Sequence, residues 1–270
     1  MGRASPAAFL SAAVRAAREA GSLLRKRLRG PLNVSTKSDA SDLVTQVDRA
    51  SERLIVRRLR AAFPGHDILA EEEQHRRTDS PWRWIIDPLD GTVNYVHALP
   101  VFAVSIALAH RDEVQVGVVY QPVLDELFTA VRGQGARLNG RRLRVSRTKR
   151  LRDGFLVTGF PYFDSGRTDN LRYFSAFMER TRAIRRLGSA AMDLCYVASG
   201  IFDGFWEFGL GAWDIAAGML ICEEAGGRVT RFDGAPVRLD EGEILATNGR
   251  VHGEMRGVLR RVRPYRPKPR

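Results

Sequence analysis

The chain contains an apolar run, Trp82-Arg83-Trp84-Ile85-Ile86, that leads directly into Asp87-Pro88-Leu89-Asp90-Gly91-Thr92. An apolar run of this length that ends in a turn is typical of a buried β-strand. Two carboxylates at the end of such a strand repel each other unless a cation lies between them. Mg²⁺ suits such ligands, because it combines a few carboxylates with water and phosphate oxygens. Taken alone, the same pattern is also typical of an ordinary turn.

The composition indicates an ordinary globular chain with a basic bias. Of its 270 residues, 44% are hydrophobic and 27% charged, and the net charge is +12. The arginines are spread along the chain instead of forming a recognition motif, and only the tail 260–270 is a distinct basic segment, best explained as a solvated extension. No apolar run is long enough to cross a bilayer. We therefore expect a soluble, cytoplasmic protein in which Cys195 and Cys222 are buried thiols.

The order of predicted elements indicates a mixed α/β protein. Two helices flank a polar loop at 33–41, and a short strand ends at Leu69. Strands follow near 102–110, 113–120, 126–131 and 142–145, and after Lys149 strands and helices alternate. We predict an α+β half over residues 1–150 and an α/β half over residues 151–270, the latter ending in the basic tail 260–270. Ligands often bind at such a junction.

Two further groups of acids support a metal site. Glu71, Glu72 and Glu73 follow the apolar Ile68-Leu69-Ala70, and Asp214 begins the apolar segment Ile215-Ala216-Ala217-Gly218. A solvent-facing acidic triplet and a helix cap are the ordinary explanations of these two features. One such motif proves little, so at this point both the metal site and the ordinary explanations stay open.

Taken together, these motifs resemble the inositol monophosphatase family. Its two signatures are similar to residues 87–95 and to the segment Trp213-Asp214-Ile215-Ala216-Ala217-Gly218. Further similarity lies in Asp42-Leu43-Val44-Thr45-Gln46-Val47-Asp48, in the pair Glu71-Glu72 and in Gly188-Ser189-Ala190-Ala191, over roughly residues 5–250. The resemblance implies a layered αβαβα sandwich of the sugar-phosphatase type. Two departures from the family pattern are Ala70 in place of glycine and Asp193 where some members have asparagine.

The resemblance implies a site that holds two or three Mg²⁺ ions, or Mn²⁺. The first ion would bind Glu71, Asp87 and the carbonyl of Leu89, the second Asp87, Asp90 and Asp214, and the third would lie near Glu71. Within the acidic triplet the family pattern points to its first member as the ligand. Asp48 and Thr92 would orient and deprotonate the attacking water in an in-line displacement. Outside the matched segment, Asp48 would be read as a helix cap or a surface acid.

The resemblance also implies the substrate contacts. Gly91 and Thr92 would bind phosphate, while Asp90, Ala190 and Glu207 would contact hydroxyl groups. A salt bridge to an arginine is the competing explanation of Glu207. Lys37 lies in the loop expected to close over the site, although solvation at the surface would also explain it.

We expect hydrolysis of myo-inositol 1-phosphate by a homodimer that is not bound to a membrane. Fructose 1,6-bisphosphate, histidinol phosphate and adenosine 3′,5′-bisphosphate are the alternative substrates. Because of the +12 charge, a binding role with RNA or the transcription machinery is a further alternative, from a different functional class.

Overall fold

A computed structural model describes residues 5–36, 43–73, 78, 80–161 and 164–262, excluding the side chains of 164–168. Its helices are α1 (Pro6–Arg27), α2 (Gln46–Ala62), α3 (Thr92–Val96), α4 (Asp164–Met178), α5 (Ala190–Ala198), α6 (Ala212–Glu224) and α7 (His252–Arg261). Its strands are β1 (Val34–Thr36), β2 (Leu43–Thr45), β3 (Asp67–Ala70), β4 (Trp82–Asp90), β5 (Ala103–His110), β6 (Glu113–Gln121), β7 (Glu126–Val131), β8 (Gly135–Leu138), β9 (Arg141–Arg142), β10 (Phe155–Thr158), β11 (Ala183–Arg185), β12 (Gly204–Glu207), β13 (Arg228–Thr230) and β14 (Ile244–Thr247).

Two large sheets organise these elements. The first has the order β3-β4-β5-β6-β7-β8-β9 and is antiparallel except for the parallel pair β3 and β4. The second has the order β11-β10-β12-β14-β13, with β10 parallel to both of its neighbours. A short antiparallel pair, β1 with β2, precedes α2. The chain thus completes one sheet before it begins the other.

The layers follow from strands that are apolar on both faces. In β5, Val104 and Ile106 pack with α1 and α2, whereas Ala103 and Ala107 face the core that contains α5 and α6. This alternation is the two-residue period of a strand. In β14, Ile244 and Ala246 face that same central core, and Leu245 faces α4 and α7. The layer order is therefore helices, sheet, helices, sheet, helices, and the predicted αβαβα sandwich is confirmed.

Several predicted element boundaries are wrong. The predicted polar loop 33–41 contains β1, whose short length and exposure conceal any strand pattern. The strand predicted at 142–145 is replaced by β8 and β9, which are joined through Asn139 and Gly140, both in the left-handed region. Strands β11, β13 and β14 and helix α7 had no prediction. The three strands, of three or four residues each, are too short to show a period.

Other expectations can be compared with the fold directly. Cys195 and Cys222 are buried free thiols, as predicted. No helix in the described part of the chain is long and apolar enough to span a membrane. The chain passes from the large sheet to the smaller one between Arg142 and Phe155, and the division into halves near residue 150 stays a prediction.

Candidate metal and substrate site

A β-bulge at the end of β4 determines where its two aspartates point. Asp87 pairs with Ser105 and Asp90 with Ala103, so Pro88 and Leu89 together face one residue of β5. Residues three apart on a regular strand point to opposite faces, but the extra residue of a bulge reverses that alternation. Pro88 fits the bulge because it has no N–H to donate to the ladder. Both carboxylates are thereby directed to one side.

The third carboxylate comes from the first turn of α6. Asp214 is the third residue of this helix, and its Oδ2 accepts a hydrogen bond from the N–H of Gly211 at 2.6 Å. The cap position itself belongs to Gly211, so Asp214 is the N3 residue of α6 and not the N-cap of the alternative explanation. A carboxylate is favourable there because it satisfies a free amide and interacts well with the helix dipole.

Asp87, Asp90 and Asp214 converge on one point, with ligand oxygens all within 4.8 Å of one another. Burial is the largest cause of the raised pKa of each carboxyl, and neighbouring carboxylates add to it. The pKa of Asp90 rises only to about 6, since Ser189 Oγ and the Ala191 N–H both donate to its Oδ2 at 2.7 Å. Two buried acids and a partly exposed third this close together fit a hard divalent cation, which would relieve their repulsion.

Glu71 lies beside this group and not in its centre. It lines the same cavity, and a hydrogen bond shared with Glu71 contributes to the raised pKa of Asp87. The other two members of the acidic triplet have different surroundings. The N–H groups of Glu72 and Glu73 donate to the buried Glu52, and Glu73 also pairs with Arg53 at 3.4 Å. The first member is thus the one positioned to act as a ligand.

Asp48 and Thr92 are in direct contact, as predicted. Thr92 Oγ1 donates to Asp48 Oδ1 at 2.9 Å and also approaches the Leu89 carbonyl at 3.1 Å. The other oxygen of Asp48 accepts from Thr45, the N-cap of α2, through its N–H at 2.9 Å and its hydroxyl at 2.5 Å. Asp48 therefore caps a helix and contacts the site at once. Burial raises its pKa, and these hydrogen bonds oppose the rise.

Gly91 permits the tight turn between β4 and α3. Its φ of 94° lies in the left-handed region, and a Cβ there would be 2.9 Å from the Val101 carbonyl oxygen. Any other residue would meet both a backbone penalty and a steric clash. The turn places Leu89, Gly91 and Thr92 in the wall of the cavity.

Glu207 contributes a further acid to the wall of the same cavity. The cavity has a volume of about 220 Å³, and Ala190, Glu207 and Arg186 are among its lining residues. A Cβ on Gly159 would lie 2.1 Å from Glu207 Oε1, so in this orientation the carboxylate occupies the space that a side chain at residue 159 would take. Burial raises the pKa of Glu207 to about 8, Arg186 opposes the rise and Asp90 adds to it.

The structure thus brings together all but one of the predicted site residues. Lys37 lies outside the described residues. Three contributors had no prediction: Ser189 as the partner of Asp90, Gly159 beneath Glu207, and Arg186 at the wall. A serine directly before an apolar segment is typical of a helix N-cap, which marks Ser189 as the start of α5 but does not predict its contact with Asp90. No local signal could reveal the other two, because their partners are distant in sequence.

Comparison with known proteins gives a consistent result. The profile of the Inositol monophosphatase family matches residues 5–263. The Nus factor SuhB of Pseudomonas aeruginosa is 45% identical over 268 residues, covering 96% of this chain and 97% of that protein. The extragenic suppressor protein SuhB of Bartonella henselae superimposes with a TM-score of 0.90 at 42% identity, over 94% of this chain and 99% of that one. The inositol monophosphatase of Anabaena gives 0.85 at 42%, over 95% and 96%.

A five-layered αβαβα sandwich with carboxylates converging where its layers meet has the architecture of the metal-dependent sugar-phosphatase class. The extent of the match narrows this class further. The chain belongs to the inositol monophosphatase family.

Proposed function

We propose that this protein is a Mg²⁺-dependent phosphatase that hydrolyses myo-inositol 1-phosphate to inositol and phosphate. The observation that carries this proposal is the convergence of Asp87, Asp90 and Asp214 in a cavity that also contains Glu207. An all-oxygen ligand set favours Mg²⁺, with Mn²⁺ as a substitute. When bound by these acids and by Glu71, two or three ions would polarise the phosphoryl group, activate water and stabilise the leaving oxygen.

Side chains of the protein would orient the attacking water and accept its proton. Because the Thr92 hydroxyl donates to Asp48, the lone pairs of its oxygen remain available to accept a hydrogen bond from the attacking water. Water would form the new P–O bond as the ester P–O bond breaks, and its proton would pass through Thr92 towards Asp48. The raised pKa of Asp48 suits a group that accepts a proton. The alcohol would leave after protonation by solvent.

Substrate orientation would come from both ends of the cavity. The backbone of Gly91 and Thr92 would contact the phosphate, and Asp90, Ala190 and Glu207 would contact hydroxyl groups. A buried carboxylate without a partner is costly, and a polyol provides donors that reduce this cost. This supports a polyhydroxy alcohol over a nucleotide.

The test is a panel of phosphate esters assayed with purified protein and Mg²⁺. We expect the highest kcat/KM for inositol 1-phosphate, above fructose 1,6-bisphosphate, histidinol phosphate and adenosine 3′,5′-bisphosphate. A preference of about tenfold or more for any other ester would reject the proposed substrate. Absence of turnover on every ester would reject the enzymatic role.

Asp87→Asn tests the metal centre within the same assay. The amide oxygen can still accept the hydrogen bond that Asp87 Oδ1 receives from Leu89 N–H at 2.9 Å, so the turn is preserved. We expect loss of Mg²⁺ binding by calorimetry together with loss of turnover. The control is Asp153→Asn, an exposed acid paired with Arg182 at 3.6 Å, which should change neither.

A second candidate function is a Nus-factor role in the transcription machinery. It is supported by a relative that is 45% identical and named Nus factor SuhB, and by the +12 net charge. If this role is separate from catalysis, Asp87→Asn should abolish turnover and leave RNA binding intact. Binding through the phosphate backbone should weaken steeply with salt in fluorescence anisotropy, and a flat salt dependence would contradict it.

We also propose a cytoplasmic homodimer. Sedimentation equilibrium should give twice the 30.2 kDa of a single chain. A single-chain mass at all concentrations would reject the dimer.

A further inference from the structure

Glu52 is a buried acid of α2 whose carboxylate binds the backbone of another segment. It is 0% exposed, and both of its oxygens accept hydrogen bonds. Oε2 accepts from the N–H of Glu72 at 2.8 Å, and Oε1 accepts from the N–H of Glu73 at 2.9 Å. Burying an acid is costly, so a carboxylate at this position requires an explanation beyond packing.

The two N–H groups belong to the residues that directly follow Glu71. The ladder between β3 and β4 ends at the pair Ala70 and Ile86, so Glu71 lies just beyond the last paired residue. Pairing with β4 fixes the chain on the N-terminal side of Glu71, and Glu52 fixes it on the C-terminal side. The direction in which the Glu71 side chain leaves the backbone is thereby determined.

Glu52 is one of three polar residues on the same buried face of α2. Asp48, Ser51 and Glu52 are neighbours on the helix surface, and each is 0% exposed. Asp48 accepts from Thr92 at 2.9 Å, and Ser51 donates to the Pro88 carbonyl at 2.8 Å. This face thus contacts the start of α3, the bulge of β4 and the segment after β3. Glu52 holds that last segment as the serine holds the bulge.

The same face of α2 continues into the apolar core. Ile55 and Leu59, one and two turns beyond Glu52, are 0% exposed and belong to the core that contains residues of α1 and β4. A group that positions another residue must itself be held in one orientation. Glu52 meets this requirement, because its helix is packed against both α1 and the large sheet.

We propose that Glu52 is a positioning residue, which accepts both N–H groups and so holds Glu71 in the wall of the cavity as a metal ligand. The inference rests on the proposed function for the ligand role of Glu71 alone. Two donors require two acceptor oxygens, which a carboxylate provides and an amide does not, since its NH₂ group is itself a donor. Residues that orient a metal ligand commonly change metal affinity by about tenfold to a hundredfold.

The first test removes one acceptor and measures Mg²⁺ binding. Glu52→Gln has nearly the same size, but its amide oxygen replaces only one of the two carboxylate oxygens. We expect calorimetry to give a dissociation constant for Mg²⁺ about tenfold higher than that of the wild type. An affinity equal to that of the wild type would overturn the proposal.

The matched control is Glu224→Gln at the end of α6. Glu224 also accepts from two backbone N–H groups, those of Gly133 at 2.8 Å and Gly135 at 2.7 Å. It lies about 15 Å along the helix axis from Asp214. This variant should lose stability in urea unfolding and keep the Mg²⁺ affinity of the wild type. Equal losses of Mg²⁺ affinity in the two variants would indicate general destabilisation and reject the positioning role.

The second test measures the contact itself and needs neither metal nor activity. With a chelator present, the wild-type amides of Glu72 and Glu73 should exchange slowly with deuterium, because they donate to a buried group. In Glu52→Gln at least one of them should exchange about tenfold faster. Fast exchange of both amides in the wild type would overturn the proposal, even if Glu52→Gln does not fold.

Kinetics separate a misplaced ligand from a damaged fold. Asp48 and Thr92 keep their contact in Glu52→Gln, so excess Mg²⁺ should restore most of kcat for inositol 1-phosphate. If excess Mg²⁺ restores nothing, the defect is not in metal binding and the positioning role is wrong. If the wild type neither binds Mg²⁺ nor hydrolyses any ester, the proposed function fails, whereas amide exchange still decides whether Glu52 holds the segment after β3.

Discussion

At the scale of single residues, the hydrogen bond from Thr92 to Asp48 links a helix cap to the proposed chemistry. One oxygen of Asp48 is occupied by Thr45, so the other is held towards Thr92 at 2.9 Å. A group held by two partners in one orientation is well suited to receive a proton, because little reorganisation is needed. The capping box and the proposed base are therefore the same carboxylate.

Thr92→Ala should lower kcat by about a hundredfold or more, since it removes the hydroxyl through which water is oriented and deprotonated. Thr92→Ser keeps that hydroxyl and serves as the matched control, with a much smaller effect. Steady-state kinetics at saturating Mg²⁺ measures both. Equal activity of the alanine and serine variants would exclude Thr92 from the reaction.

Glu207 makes stability depend on pH in a defined direction. Its pKa in the folded protein is about 8, above its ordinary value of 4.5, so the folded state favours the neutral form. The associated stability is complete below the unfolded pKa and is lost as pH rises through about 8. Glu207→Gln is always neutral and should gain on the order of a few kcal/mol relative to wild type at alkaline pH.

This gain is measured by urea unfolding with a chelator present, at about pH 5 and about pH 9. The difference in unfolding free energy between Glu207→Gln and the wild type should increase as the pH rises. Glu179→Gln, at a side chain 70% exposed, should show no such gap. A difference that stays constant with pH would contradict the raised pKa of Glu207.

At the scale of elements, the bulge in β4 and the turn at Gly91 act as one unit. The bulge directs Asp87 and Asp90 to the same side, and the left-handed Gly91 starts α3 immediately afterwards. Ser51 of α2 donates to the Pro88 carbonyl at 2.8 Å and so fixes the middle of the bulge. The geometry of the carboxylates therefore depends on backbone conformation as much as on the acids themselves.

Gly91→Ala should destabilise the protein by about 2 to 4 kcal/mol, from left-handed strain plus the clash with the Val101 carbonyl. Gly249→Ala is the matched control, because its φ of 80° carries the same strain while nothing lies within 4 Å of the added Cβ. Only about 1 kcal/mol should be lost there. Urea unfolding gives both values, and equal losses would mean that the close contact at Gly91 relaxes freely.

At the scale of the whole molecule, α6 is the helix shared by the two sheets. Ala217 and Ile221 belong to a core that includes Ile85 of the large sheet and Ile244 of the smaller one. The first turn of α6 carries Asp214 towards the two acids of β4. The position of this helix between the sheets thus determines whether the third carboxylate reaches the two acids of β4.

Gly117→Ala should shift α6 away from the large sheet. A Cβ on Gly117 of β6 would lie 2.8 Å from the Ala217 carbonyl oxygen, so the helix must move to accept it. We expect a loss of about 1 to 3 kcal/mol in stability and weaker Mg²⁺ binding. Calorimetric titration with Mg²⁺ and urea unfolding measure the two effects.

The control for this variant is Gly253→Ala in α7, where nothing lies within 4 Å of the added Cβ. It should leave Mg²⁺ affinity unchanged and stabilise slightly, because alanine favours a helix. If Gly117→Ala lost stability and kept its full Mg²⁺ affinity, the packing of α6 would not control the position of Asp214.

The sequence by itself determined the family and the layered α/β class, because both rest on local motifs and periodic apolar patterns, and the resemblance to that family supplied the proposed metal ligands. It did not predict the short strands β1, β11 and β13. These strands are stabilised by pairing with neighbouring strands, and their few residues show no pattern of their own. Tertiary structure alone decided that Gly159 lies against Glu207 and that Asp193 is buried with no hydrogen-bond partner for its carboxylate among the described residues. The physical reason is that burial and proton affinity are set by atoms distant in sequence, which only the packed layers bring together.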